Sequence, residues 1–336
     1  MTSDATPAPP VGAALLPPDL RTLILSCGKA GHDANSLGVA AALGVTPRIS
    51  RIAPRRLFSL LAPYGPADPR DVAQPDWPQL VIASGRETAP VLRAYGARNP
   101  RAFTLYLQDP RAWRSAYDLI WTPAHDRAQG ANVIKTLISP HPLRPQALAQ
   151  ARAAPDPRVA RLEGPRLALA IGGPSKAHRF EEADALALIA IARQGAAQGF
   201  SIMATPSRRT PPAFARRLEA ALADLPPARR FVWDGAGDNP YVSMLAAAQA
   251  ILVTADSVNM VGEAAATGAP VHVYEPAGGS AKITRFLDGM VAAGAVRRYG
   301  GAFERWDYAP ADPTDEIARE TARRFLAKAA RGAARG

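Results

Sequence analysis

Short hydrophobic runs alternate along the chain with polar turns and longer amphipathic stretches. That alternation predicts strands buried on both faces and separated by helices, so the expected class is α/β. In the first half the pattern predicts strands at 21–27, 48–53, 80–83, 102–107, 119–122 and 133–138, with helices at 35–43 and 87–95. A short helix is expected at 57–61, inside the Pro-rich stretch 55–76. The second half restarts with strands at 166–171, 200–204, 231–233, 251–253 and 270–274, and helices at 181–198, 212–223 and 240–248. The tail 314–330 reads as an amphipathic helix, its stripe formed by Ile317, Ala318, Thr321, Ala322, Phe325, Leu326 and Ala329.

The expected organisation is a disordered tail at 1–18, a Rossmann-like domain at 19–150 and an Ala/Pro/Arg-rich linker at 151–165. A second Rossmann-like domain spans 166–308, and the helix and basic tail occupy 309–336. At 336 residues the chain is long enough for two domains with cores of their own.

Charge narrows the choice of ligand. The 40 Lys and Arg residues outnumber 29 Asp and Glu, a formal net charge of +11, which favours anions such as sugar nucleotides, nucleic acid or anionic lipid headgroups. No helix-turn-helix, zinc finger or aromatic RNA-binding signature is present, which makes nucleic acid the weakest of the three. One cysteine, Cys27, excludes an intrachain disulfide framework and a Cys-based zinc site. The N-terminus lacks a basic n-region, and no apolar run approaches the roughly 20 residues of a membrane span. The expected location is cytoplasmic, with peripheral contact at the inner membrane left open by the basic charge.

The most informative stretch is 251–276, which reads as strand, polar turn, short helix, glycine stop and strand. Asp256 or Ser257 can cap the helix, and Gly268 ends it. The helix N-terminus opens at the carboxyl end of a strand, where ligands of open α/β sheets sit. Glu263 lies one turn after Asn259, so both share a helix face. A carboxylate there can accept hydrogen bonds from ribose hydroxyls, while Ser257 and the turn amides hold phosphate. The plainer alternative is a βαβ unit whose polar residues only cap a helix.

Other strand ends carry chemistry as well. The loop 26–33 (SCGKAGHD) is neither a Walker loop nor a full G-x-G-x-x-G. Gly28 and Gly31 still allow close backbone approach, and Lys29 suits phosphate. His32 or Asp33 is a candidate general base, unless Asp33 or Asn35 merely caps the helix. Gly172, Gly173, Ser175 and Lys176 form a second loop at a strand end, suited to phosphate by backbone approach and charge. Ser207, Arg208 and Arg209 follow the next strand, and paired arginines suit bidentate phosphate contacts. Asn239 is a good helix cap ahead of Pro240 and Tyr241. No metal site is expected, since H-E-x-x-H and D-x-D are both absent, and there is no G-x-S-x-G elbow for hydrolase chemistry.

The pattern D-S-x-x-M-x-x-E-A-x-x-x-G-x-P, formed by Asp256, Ser257, Met260, Glu263 and the residues after them, resembles the donor-nucleotide site of GT-B glycosyltransferases. It resembles more closely the bacterial relatives of the ELM-type mitochondrial-fission family. The helix start GHDANSLGVAAALG is similar to that family's G-x-x-x-N-x-x-G-L-A-x-x-L-G, with Ser36 where the family usually has Gln. The strings S-R-R-T-P at 207–211, D-P-R at 109–111 and P-x-H-D at 123–126 are also similar. The resemblance spans roughly 23–308. It implies two Rossmann-like domains facing across a cleft, with the C-terminal helix packing back on the first.

It further implies a metal-independent, inverting glycosyltransferase that takes sugar from a nucleoside-diphosphate sugar to a cell-envelope or lipid-linked acceptor. Asn239 and Tyr241 would line the base pocket, and Asn259 and Met260 would sit with Glu263 at the nucleotide. His125, beside Asp126, competes with His32 and Asp33 as the acid/base group. A sugar-nucleotide epimerase and a non-catalytic, membrane-associated interaction protein are the alternatives.

Overall fold

The computed structural model describes residues 14–72, 77–124 and 126–334. They fall into two compact units. The first contains the described residues up to Pro142 together with those from Asp312 onward; the second is Leu143–Ala311.

In the first unit the order is β1 (Thr22–Ser26), α1 (Ala30–Leu43), β2 (Pro47–Arg51), α2 (Arg56–Leu61) and α3 (Pro69–Val72). Then follow β3 (Leu80–Ala83), α4 (Thr88–Arg98), β4 (Phe103–Leu107), β5 (Leu119–Pro123) and β6 (Val133–Thr136). The strands make one parallel sheet in the order β2-β1-β3-β4-β5-β6. β1, β3 and β4 are buried along their whole length because helices cover both faces, which is why they read as unbroken apolar runs. β2 is an edge strand and carries Arg48 and Arg51, charges that discourage a further strand from pairing.

The second unit opens with α5 (Pro145–Ala153) and α6 (Pro157–Ala160), then β7 (Arg166–Ile171), α7 (Glu182–Ala197), β8 (Ser201–Pro206), α8 (Pro212–Ala221) and β9 (Arg230–Val232). It continues with α9 (Tyr241–Ala247), β10 (Ala250–Thr254), α10 (Val258–Ala265), β11 (Val271–Tyr274), α11 (Ala281–Ala292) and β12 (Arg297–Arg298). Its parallel sheet runs β12-β11-β10-β7-β8-β9. Counted within the unit this is the 3-2-1-4-5-6 order of a dinucleotide-binding fold, with its switch point between β7 and β10.

The last helix, α12 (Pro313–Ala333), packs on the first unit. Ile317, Ala318, Ala322 and Phe325 join Val39, Leu43 and Phe103 in one core, as the apolar stripe of the tail requires. Phe325 meets Phe103 edge-on at 6.1 Å. The backbone N–H of His141 donates to Thr314 Oγ1 at 2.9 Å, and the Thr314 hydroxyl donates back to the His141 carbonyl at 2.9 Å. No helix among the described residues is long and apolar enough to cross a membrane.

Several local expectations need correcting. α1 starts at Ala30, not 35, because Gly28 turns the chain at φ 74° and the helix begins directly after Lys29. Asp33 and Asn35 are therefore helical residues rather than caps. The stretch 151–165 is not a free linker but carries the end of α5 and all of α6. Pro145 and Pro157 occupy first-turn positions that tolerate proline. Arg152 donates to the carbonyls of Ala246 and Thr267 at 3.0 and 2.9 Å, fixing α5 within the second unit. Pro240, not Asn239, precedes the first residue of α9, and Asn239 Oδ1 accepts the Tyr241 N–H at 3.0 Å.

Candidate functional site

All strands of the second sheet run parallel, so the loops after β7, β8, β10 and β11 share its carboxyl edge. Across the switch point the Gly172 N–H donates to Thr254 Oγ1 at 2.7 Å, and the Gly173 N–H donates to Asp256 Oδ2 at 3.0 Å. Arg209 reaches in from the β8 loop. Its Nη2 donates to Asp256 Oδ2 at 2.6 Å, and its Nη1 donates to the carbonyls of Gly173 and Pro174 at 2.8 and 3.0 Å. The Asp256 side chain is 1% exposed, so this ion pair replaces solvent around a buried carboxylate. Asp256 Oδ1 is buried and has no partner among the described residues.

The two glycines follow from that packing. A Cβ on Gly172 would lie 2.1 Å from Asp256 Oδ2, and one on Gly173 would lie 2.2 Å from the Arg209 carbonyl oxygen. Only hydrogen leaves room for both approaches. Thr210 completes the knot. Its hydroxyl donates to the Ile171 carbonyl at 2.9 Å and accepts the Ser207 N–H at 2.8 Å.

The β7 loop is also tied to the β11 loop. The Arg179 N–H donates to the Ala277 carbonyl at 2.8 Å, and Ser175 Oγ accepts the His178 N–H at 3.0 Å. Lys176 and Arg208 are exposed on these loops and form no ion pair among the described residues. α10 begins beside them, with Ser257 as its N-cap accepting the Met260 N–H at 3.5 Å. The free amides of its first turn and two unpaired cations therefore share one edge, an arrangement suited to an anion.

Deeper along α10, Glu263 Oε2 accepts the Tyr241 hydroxyl from α9 at 2.7 Å. Burial pushes the Glu263 carboxyl up to about 7, against the lowering effect of the tyrosine's hydrogen bond. Burial and the facing carboxylate raise Tyr241 well above the usual phenol range. Asn259 and Met260 lie half-buried on the turn before Glu263.

In the first unit the switch point lies between β1 and β3. Here His32, in the first turn of α1, places Nδ1 2.8 Å from Ser84 Oγ. The Ser84 hydroxyl donates to the Leu107 carbonyl at 3.1 Å. With its single proton committed, Ser84 accepts from His32, which assigns the proton to Nδ1 and leaves Nε2 with a free lone pair. Burial, then nearby Lys29, lowers the His32 pKa despite the opposing charge of Asp33. The ring is thus neutral near pH 7. Lys29 and Gly31 are exposed, and the Gly28 N–H donates to Ser26 Oγ at 3.0 Å. His125 lies outside the described residues.

The sequence offers Asp256 as a helix cap near the nucleotide and Arg208 and Arg209 as a phosphate-binding pair. The geometry separates them: Asp256 and Arg209 are spent on each other and on the glycine loop, and Arg208 is free. Sequence reasoning assigned no role to Thr254, Thr210 or Ser84. Thr210 lies within the S-R-R-T-P string and Ser84 directly after the strand at 80–83, but a hydroxyl's partner across a sheet leaves no local trace.

Two Rossmann-like units, each with polar loops gathered at a switch point, give the GT-B class of fold. The family model described as Mitochondrial fission ELM1 matches residues 30–325, and the chain belongs to that family. It is 29% identical over 288 residues to Mitochondrial fission protein ELM1 of Arabidopsis thaliana, an alignment covering 77% of this chain and 66% of the relative. An uncharacterised protein of Rickettsia prowazekii (strain Madrid E) is 29% identical over 160 residues, 45% of this chain and 44% of the relative. The chain thus spans less than two thirds of the length of these curated relatives.

Among solved structures, an S. aureus MnaA–UDP co-structure superposes with a TM-score of 0.53 at 12% identity, over 92% of this chain and 90% of that one. The spinosyn forosaminyltransferase SpnP superposes with a TM-score of 0.50 at 15% identity, over 94% of this chain and 93% of that one. At such identities the likeness is one of fold.

Proposed function

We propose that this protein is a metal-independent glycosyltransferase that takes a nucleoside-diphosphate sugar as donor, inverts the transferred sugar and delivers it to a cell-envelope acceptor. The observation that carries the reading is the carboxyl edge of the second sheet. There the α10 amides, Lys176 and Arg208 are offered together beside a glycine loop braced by Asp256 and Arg209. A departing diphosphate gains negative charge in the transition state, and preorganised N–H groups and cations stabilise that charge. Ser175 keeps its hydroxyl proton free to donate, because its oxygen accepts only backbone N–H groups. Glu263 and Tyr241 form the polar end of the nucleoside pocket, with Asn239, Asn259 and Met260 around it. In the first unit, neutral His32 takes the acceptor hydroxyl's proton on Nε2, with Lys29 and the Gly28–Gly31 loop beside it.

Fold likeness to a transferase and to a protein solved with UDP supports a sugar-nucleotide donor. One observation favours a second reading, a sugar-nucleotide epimerase. Burial raises the Glu263 carboxyl to about 7, which suits a group that gives and takes a proton. The readings separate by product. Incubation with a sugar nucleotide and a membrane extract should release free nucleoside diphosphate if sugar is transferred. An epimerase changes the sugar while the nucleotide stays attached and needs no extract. Neither product, from protein that binds the nucleotide, contradicts both.

A further inference from the structure

We propose that the segment around α2, together with the turn after β4, is a docking surface for an anionic lipid bilayer. The helix Arg56–Leu61 has the sequence RLFSLL and buries none of its residues. Leu57, Leu60 and Leu61 are 64%, 75% and 45% exposed, and Tyr64 and Trp113 are each 60% exposed. Leu57, Leu60 and Leu61 stand at i, i+3 and i+4 on one face of α2, Tyr64 follows directly, and Trp113 is hydrogen-bonded to the Tyr64 backbone, so the five are a local cluster.

The Trp113 side of the cluster is held by its own turn. Trp113 sits at φ 54° and Arg111 at φ 63°, a backbone region that bulky residues avoid. The turn keeps that conformation because Asp109 accepts the Arg111 N–H at 2.9 Å and Arg114 Nη2 at 2.9 Å. The Trp113 Nε1–H donates to the Tyr64 carbonyl at 3.3 Å, and the Arg93 guanidinium lies 5.4 Å from its ring centre. A tryptophan fixed in a strained turn, with its ring outward and hydrogen-bonded at one edge, has the amphipathic form that membrane–water interfaces favour.

Charge selects the partner. Arg56 and Arg111 are exposed beside the apolar side chains and form no ion pair among the described residues. Arg86 is exposed and donates to the Ser59 carbonyl. An apolar platform rimmed by exposed arginines matches an anionic headgroup layer over acyl chains. Arg86 and Glu87, which hold Ser59, belong to the same loop as Ser84, the partner of His32. The surface therefore adjoins the first unit's candidate base. That it presents a membrane-borne acceptor to His32 rests on the transferase reading; the docking itself does not.

The test uses the full chain and sedimentation with vesicles. Wild type should co-sediment with phosphatidylglycerol-containing vesicles, much less with pure phosphatidylcholine, and should be released substantially by about 0.5 M salt. Leu60→Ser with Trp113→Ser should weaken binding by at least about tenfold, because both lose apolar contact with the acyl region. Arg56→Glu with Arg111→Glu should remove the preference for anionic lipid. Arg216→Glu, on the second unit, should change nothing. Folding of each variant is checked by its unchanged thermal transition and nucleotide response, so loss of docking is separable from loss of the donor site. Equal binding by wild type and the Leu60/Trp113 variant overturns the proposal. So does wild type that ignores anionic vesicles, or a surface whose substitution only dissociates a dimer.

Discussion

Arg209 Nη2 lies 2.6 Å from Asp256 Oδ2, joining loops that follow different strands and closing the backbone of Gly173 against both. The pair braces the loops at this edge of the second sheet. Removing Arg209 strands a carboxylate that is 1% exposed. Arg209→Ala should therefore destabilise the second unit by about 3 kcal/mol, measured by urea unfolding. Gly173→Ala should cost at least about 1–3 kcal/mol, since the new methyl meets backbone and not a flexible side chain. An Arg209→Ala variant as stable as wild type would remove the brace from the account.

Glu263 gives the same unit a pH signature. Its folded pKa of about 7 lies above the ordinary 4.5, so the folded state holds the proton more tightly than the unfolded chain. The stability this contributes is present below about pH 4.5 and is lost as pH rises through about 7. Wild type should lose melting temperature relative to Glu263→Gln across that window and run parallel to it above. A constant difference would mean the carboxyl is not buried as described.

His141 acts in the opposite sense in the first unit. Both ring nitrogens are buried without partners, and burial holds the pKa down to about 4. The unfolded chain takes up the proton first, so stability falls as pH drops from about 6.5 to about 4. The full loss is on the order of 3 kcal/mol. His141→Phe should flatten this part of the acid denaturation curve.

His32 should separate chemistry from donor binding. His32→Gln is expected to lower turnover by about 10²–10⁴-fold and to leave nucleotide binding intact. Wild-type turnover should rise with pH to a plateau whose midpoint lies below pH 6.5, because burial and Lys29 lower the His32 pKa. A midpoint unchanged in the variant would assign the base elsewhere.

Much of the fold was legible because its signals are local. Unbroken apolar runs such as 80–83 and 251–253, short and bounded by turn residues, read as strands covered on both faces, and the stripe from Ile317 to Phe325 has one helical period. What stayed hidden depends on partners remote in sequence. Arg209 and Asp256 are 47 residues apart, His32 and Ser84 are 52 apart, and Tyr241 and Glu263 are 22 apart. Composition misled at 151–165, where alanine, proline and arginine suggested a linker. Proline in a first turn and arginine on carbonyls turned that stretch into docked helices.

The central claim is that the second unit binds a sugar nucleotide at its switch point. The most direct measurement is the thermal shift of wild type and Glu263→Ala with a panel of nucleoside diphosphates and their sugars. The account predicts a shift with one base, about 2.7 kcal/mol of stabilisation at 100 times the dissociation constant, and its loss in the variant. Well-folded wild type that responds to no nucleotide would contradict it.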